Sequence, residues 1–279
     1  MSRYDRFIVA AFLSVAVLVL LAVLPATASA ALADEPPVPP VYPGADRVPE
    51  SARYGGAVIH PDEELCKDCE VDPEAVAPVQ AATAGGPDAF GYTFLDSDEP
   101  NGPIYVFIDI SDSGTQVFLF DDSYTDAIPL GFDFPFYGEI RSEIHIGSNG
   151  LIGFAPDSLW SLSNSCPLPD EFPPNEIIAL QWDDLLPAAS GSIAYQSFGR
   201  CPYGESEACW IVQYTDMLHF NFYPVGTFQA ILFQGGDVLL QYADPGLFGG
   251  GSATMGIENG AGTVGLTYAC NTENALAAE

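Results

Sequence analysis

Positive charge is what this chain has least of. Against 38 Asp and Glu it carries only seven Lys and Arg, and Lys67 is its single lysine, for a formal net charge of −31. Such a surface repels phosphate backbones and anionic headgroups, which excludes nucleic acid as a partner. Histidine is nearly as scarce. His60, His145 and His219 are isolated from one another in sequence and do not form a metal-ligand pattern, and Gly147-Ser148-Asn149-Gly150 is not a nucleophile elbow. No stretch holds a 3.6-residue apolar period over three turns, so helices are not expected either. One long apolar run exists, Phe7 to Leu24, behind Arg3 and Arg6 and ahead of the small residues Ala26 to Ala30. This order predicts a secretory signal peptide over residues 1–30, with Ala28-x-Ala30 as the cleavage site and Ala31-x-Ala33 as the second choice. The alternative is an uncleaved anchor, the one way the chain would meet a membrane.

What is present is β-chemistry. Residues 31–88 are rich in Pro, Ala, Asp and Glu and read as an acidic linker. From residue 89 to 270 the chain changes to aromatic and β-branched runs broken by Gly, Pro, Asn and Asp. Residues 271–279 are left as a C-terminal tail. Thirteen short strands are predicted, from Tyr92–Leu95 to Val264–Tyr268 and including Val106–Ile108, which argues for an all-β antiparallel sandwich or jelly-roll-like fold. The organising stretch is Leu130 to Phe154. It reads as an aromatic loop (Phe132, Phe134, Phe136, Tyr137), a strand with Ile144 and Ile146 on its apolar face, a tight Ser148-Asn149-Gly150 turn and a second short strand. Gln234-Gly235-Gly236-Asp237 marks another hairpin, with Phe228, Ala230 and Leu232 leading in and Val238, Leu240 and Tyr242 leading out on one face.

Six cysteines in a chain with secretory features predict disulfides. Cys201 and Cys209 bracket a short loop between strand-like runs and should staple it. Cys66 and Cys69 form a C-x-x-C without the strand and helix of a redox site, and are read as a local disulfide, with metal or redox use as the alternative.

The ordered runs IPLGFDFPFYG, IHIGSNGLIGF, PPNEIIALQWDDLLP, TFQAILFQGGDVLLQY and MGIENGAGTVGLTY resemble an extracellular β-sandwich module of secreted bacterial proteins. They are also distantly similar to the nidogen-like region of plexin-domain-containing receptors, over about Phe90 to Cys270. The resemblance implies a non-catalytic module and makes the WDD run part of its scaffold. It also supports pairing the two remaining cysteines, Cys166 and Cys270.

Three functional readings follow. A non-catalytic secreted or cell-surface binding or adhesion module, with an extracellular protein or glycan as partner, would use loop aromatics: Trp160, Tyr203, Phe220, Phe222 and Tyr223. A carbohydrate-active hydrolase would use Asp183 or Asp184 with Glu258, if the fold brought two carboxylates across a sugar. A structural or self-associating envelope protein would show an unprotected sheet edge. Calcium is the one cofactor to entertain, on the loop carboxylates Asp96, Asp98, Asp109, Asp112, Asp121 and Asp122.

Overall fold

In a computed structural model, residues 83–204 and 207–276 are described. The predicted signal peptide, the linker up to residue 82 and the Cys66–Cys69 pair lie outside them. Among the described residues the chain is built from strands alone. A five-stranded sheet runs in the order β11 (Val238–Asp244), β10 (Pro224–Phe233), β9 (Cys209–Leu218), β8 (Ser192–Phe198), β3 (Thr115–Val117). A six-stranded sheet runs β13 (Gly265–Cys270), β12 (Thr254–Glu258), β7 (Ile177–Trp182), β6 (Leu151–Gly153), β5 (Glu139–Ile146), β4 (Ile128–Phe136). A two-residue ribbon pairs β1 (Ala84–Gly85) with β2 (Phe94–Leu95). All pairings are antiparallel, so the sandwich is formed as expected.

Period-2 alternation fills the space between the sheets. Trp210, Val212 and Tyr214 of β9 and Phe228, Ala230 and Leu232 of β10 meet Ile144, Ile146, Ile178 and Leu180 from the other sheet, all within 1 % of full burial. Val238, Leu240 and Tyr242 follow across the predicted β10–β11 hairpin, whose Gly236 has φ 105°. Burying aliphatic and aromatic side chains of this size contributes roughly 1.5–3 kcal/mol each.

Two expectations are corrected. The aromatic run after Leu130 is no loop: Phe132, Phe134 and Phe136 lie within β4, and Phe134 and Phe136 are fully buried and stack toward Phe154. Pro129 and Pro135 suggested a break, but β4 is an edge strand, where a missing N–H goes unnoticed. Val106–Ile108 is not a strand of either sheet. It belongs to an extended strap that crosses the outer face of the five-stranded sheet, held by glutamine side chains instead of a backbone ladder. Gln116, Gln213, Gln229 and Gln241 stand in one cross-strand row, with Ala194 between the first two. Gln241 Oε1 accepts from Val106 N (3.0 Å), Gln229 Nε2 donates to the Ile108 carbonyl (3.4 Å), and Gln213 Oε1 accepts from Ile110 N (2.8 Å). Period-2 patterning cannot distinguish such a strap from a strand, because its backbone is equally extended.

The outer face of the six-stranded sheet is covered in the same way by residues 155–170, whose Leu159 and Leu168 pack on Leu151, Ile177 and Trp182. Both Cys201–Cys209 and Cys166–Cys270 are bonded, the latter tying this cover to β13. The expected tail is packed as far as it is described: Ala275 and Leu276 sit against Met255 and Ala269.

Candidate functional site

The loops that leave β3, β7 and β9, the β5–β6 turn and the cover segment meet at one end of the sandwich, where Asn149 binds all but the β9 loop, which is tied to the β7 loop instead. Asn149 is fully buried. Its Oδ1 accepts from Leu185 N (3.0 Å), its Nδ2 donates to Asp122 Oδ1 and to the Trp160 carbonyl (both 2.9 Å), and its own carbonyl accepts from Asp183 N (3.3 Å). The Ser-Asn-Gly turn is therefore an internal clamp rather than an exposed hairpin tip. Gly150 beside it has φ 73°, and a Cβ there would lie 2.2 Å from the Gln181 carbonyl oxygen, so only glycine fits.

This clamp gathers three carboxylates. Oxygens of Asp121, Asp122 and Asp184 lie within 4.8 Å of one another, the only such metal-competent group among the described residues. Burial pushes the Asp184 carboxyl above its ordinary range, and Asp122, Asp121 and Asp183 push it further while His219 opposes them. Asp121 is raised by burial and by Asp122, and its Oδ1 is enclosed without a hydrogen-bond partner. Carboxylates in this relation are relieved by a proton or a cation. Three oxygens are half of what calcium takes, so waters or backbone carbonyls would have to complete its shell.

Exposed aromatics lie on the segments tied to the carboxylates. Trp160 is 49 % exposed, Phe220 50 % and Phe222 69 %; Phe118 and Phe120, in the predicted strand Gln116–Phe120 that ends instead at Val117, are 92 % and 84 % exposed. Phe120 precedes Asp121, and Phe220 N donates to the Asp184 carbonyl (2.8 Å). Phe222 has φ 64°, a left-handed conformation unfavourable for a bulky side chain. Its N–H donates to the His219 carbonyl (2.7 Å), closing the turn that presents both phenylalanines. The missed signal was the two-residue spacing of Phe118 and Phe120 about the inward Leu119, which turns both to the outside beyond the end of β3.

Other expected site residues have structural work. Tyr203 donates to the Ile104 carbonyl (2.9 Å) and packs against Phe233, fixing the strap. Tyr223 stacks on His219 at 4.3 Å and meets Phe248 edge-on, as a pillar beneath the aromatic turn. Of the calcium expectations only Asp121 and Asp122 come together. Asp109 is held below its ordinary pKa by hydrogen bonds from Gln213 and Ser111 and anchors the strap. Asp112 is exposed on the turn that follows, and Asp96 accepts from Asp98 N and the Tyr268 hydroxyl on the other side of the sandwich.

The hydrolase pairing does not assemble. Asp183 and Asp184 follow the end of β7, whereas Glu258 pairs with Ile177 at its start. Five strand steps at about 3.3 Å separate Ile177 from Trp182, roughly 17 Å, beyond the spacing at which two carboxylates flank one glycosidic bond. Glu258 is fully buried and accepts from Asp170 N (2.9 Å) through Oε2. Asp183 accepts from Ser252 and faces His219 Nε2 at 3.4 Å.

The described residues form an all-β sandwich with two disulfides and loops gathered at one end. A family model described as NIDO related matches residues 91–279, and the chain belongs to that nidogen-related family. No curated protein and no solved structure matches it significantly. Family and disulfides together fit an extracellular location.

Proposed function

We propose that the chain is a non-catalytic, secreted or cell-surface binding module, whose loop end grips an extracellular glycan or protein through Trp160, Phe118, Phe120, Phe220 and Phe222. The observation that carries this reading is their exposure on segments tied to three gathered carboxylates. Single exposed apolar residues are ordinary on soluble proteins, but a group on loops tied together through one buried asparagine and the β7 loop is a preorganised surface. The strained φ of Phe222 supports the same view, since a glycine would relieve it at once. Aromatic faces stack on sugar rings or enter apolar pockets of a protein, and the carboxylates either bind polar groups directly or hold calcium between module and ligand.

The test is retention of the purified chain on immobilised neutral polysaccharides and extracellular proteins, with calcium and again with chelator. Specific retention that Trp160→Ala or Phe222→Gly abolishes supports the reading, and chelator sensitivity assigns calcium to the site. Retention that survives both substitutions removes the loop end from the account.

A further inference from the structure

Along the edges of the sandwich opposite β3 and β4 lies a second feature that shares no residue with the loop end. The five-stranded sheet stops at β11 and the six-stranded sheet at β13, and neither strand has a partner on its outer side among the described residues. The sheets part there, and the β1–β2 ribbon and the start of the strap close the gap into a cleft of about 530 Å³. That volume suits a small organic ligand.

The cleft's lining is uniform in one respect. Tyr92, Phe94, Tyr105, Tyr242 and Tyr268 supply aromatic groups from the ribbon, the strap and both sheets, and Asp96, Asp98 and Asp237 supply carboxylates, while no Lys, Arg or His contributes to the lining. The carboxylates are spread along the walls. Asp237 acts on Tyr92, whereas Asp96 and Asp98 both act on Tyr268, whose hydroxyl donates to Asp96 Oδ2 (3.3 Å). Burial first, and then these two carboxylates, push the Tyr268 phenol up to about 12. Tyr268 also meets Phe94 edge-on at 5.6 Å, so the ring positions are fixed by packing before any ligand arrives. Gln241, 4 % exposed, lines the cleft from β11, where its Oε1 holds the strap and its Nε2 has no hydrogen-bond partner.

Aromatic faces attract cations through their quadrupoles, and carboxylates do so by charge. An acid or phosphate would find three carboxylates and no basic side chain in the lining, and a neutral ligand would gain nothing from the carboxylates. We infer that this cleft binds a small organic ammonium compound, an alkylated amine whose cationic head sits among the tyrosines and beside Asp96 and Asp98.

Titration calorimetry of the purified chain with choline, benzyltrimethylammonium and the uncharged choline isostere 3,3-dimethylbutan-1-ol tests this. Both cations should bind saturably, and the neutral isostere should bind weaker by roughly tenfold or more. Tyr105→Ala, at a 54 % exposed residue, and Asp96→Asn should each weaken the cations several-fold, while Asp121→Asn at the loop end should leave them unchanged. Equal affinity for choline and its isostere overturns the inference. So does the absence of saturable binding up to about 10 mM. Binding only of lysine-bearing peptides and of no small ammonium also overturns it, in favour of a protein partner. Because the loop-end variants are read separately, failure here leaves the proposed function standing, and the reverse also holds.

Discussion

The two ends of the sandwich treat their carboxylates in opposite ways. At one end Asp121, Asp122 and Asp184 are drawn together at the surface, half-buried, on segments tied to exposed aromatics. At the other, Glu258 is taken fully out of water and given the Asp170 amide, with Asp170 and Asn175 around it. Its pKa is pushed up to about 7, by burial first. Acidic groups crowded at the surface are what the proposed binding reading rests on, whereas a single buried and hydrogen-bonded one belongs to the scaffold. The contrast also explains why Trp182-Asp183-Asp184 and Glu258 cannot be read as one unit from sequence: the strand that joins them in the fold also holds them apart.

The largest expected effect breaks the loop end at its clamp. Asn149→Ala removes the acceptor of Leu185 N and the donor to Asp122 and Trp160. It should destabilise by roughly 3 kcal/mol, as a buried donor or acceptor left unpaired costs about 1–3 kcal/mol, and urea unfolding would read it. Replacing both Cys166 and Cys270 by serine stands level with it. Opening a loop of 104 residues should lower stability by about 2–5 kcal/mol, seen as a lower urea midpoint, and reduction of the native chain, which also opens Cys201–Cys209, should lower it at least as far.

Glu258 gives the opposite end its own signature. Its folded pKa, about 7, exceeds the ordinary 4.5, so the folded state holds the extra proton between these values. Its contribution is full below pH 4.5, declines as pH rises through 7 and is absent above, a difference of about 3 kcal/mol. Stability measured from pH 5 to 8 should fall less steeply for Glu258→Gln than for the native chain. A parallel slope in the two proteins would mean the buried carboxyl is not what titrates.

The smallest effects belong to the exposed loop end. Trp160→Ala should change stability by less than about 0.5 kcal/mol, as surface substitutions generally do. Phe222→Gly should be neutral or stabilising by about 1 kcal/mol because glycine accepts φ 64°. If the triad takes calcium, millimolar calcium should raise the melting temperature, and Asp184→Asn should erase the rise.

Most of the scaffold was legible in the sequence because alternation and turn chemistry act locally. The β10–β11 hairpin and the inward faces of β5, β9 and β10 follow directly from the spacing of their apolar residues. Pairing of Cys201 with Cys209 was legible for the same reason. The strap was misread because extended backbone looks alike whether carbonyls or glutamines hold it. Of the site, Trp160, Phe220 and Phe222 were visible as loop aromatics and Asp121 and Asp122 as loop carboxylates. Their convergence with Asp184 was hidden, since it depends on Asn149 reaching segments 27 and 36 residues away. Tyr203 and Tyr223 carried the same sequence signal and turned out to support other elements, because exposure is decided by what packs over a loop.

The most direct test of the central claim compares the native chain with the Trp160→Ala, Phe222→Gly double variant, on the same panel of immobilised glycans and extracellular proteins. The account predicts unchanged melting and lost retention. Unchanged melting with unchanged retention would contradict it, because the exposed aromatics would then be surface without a partner.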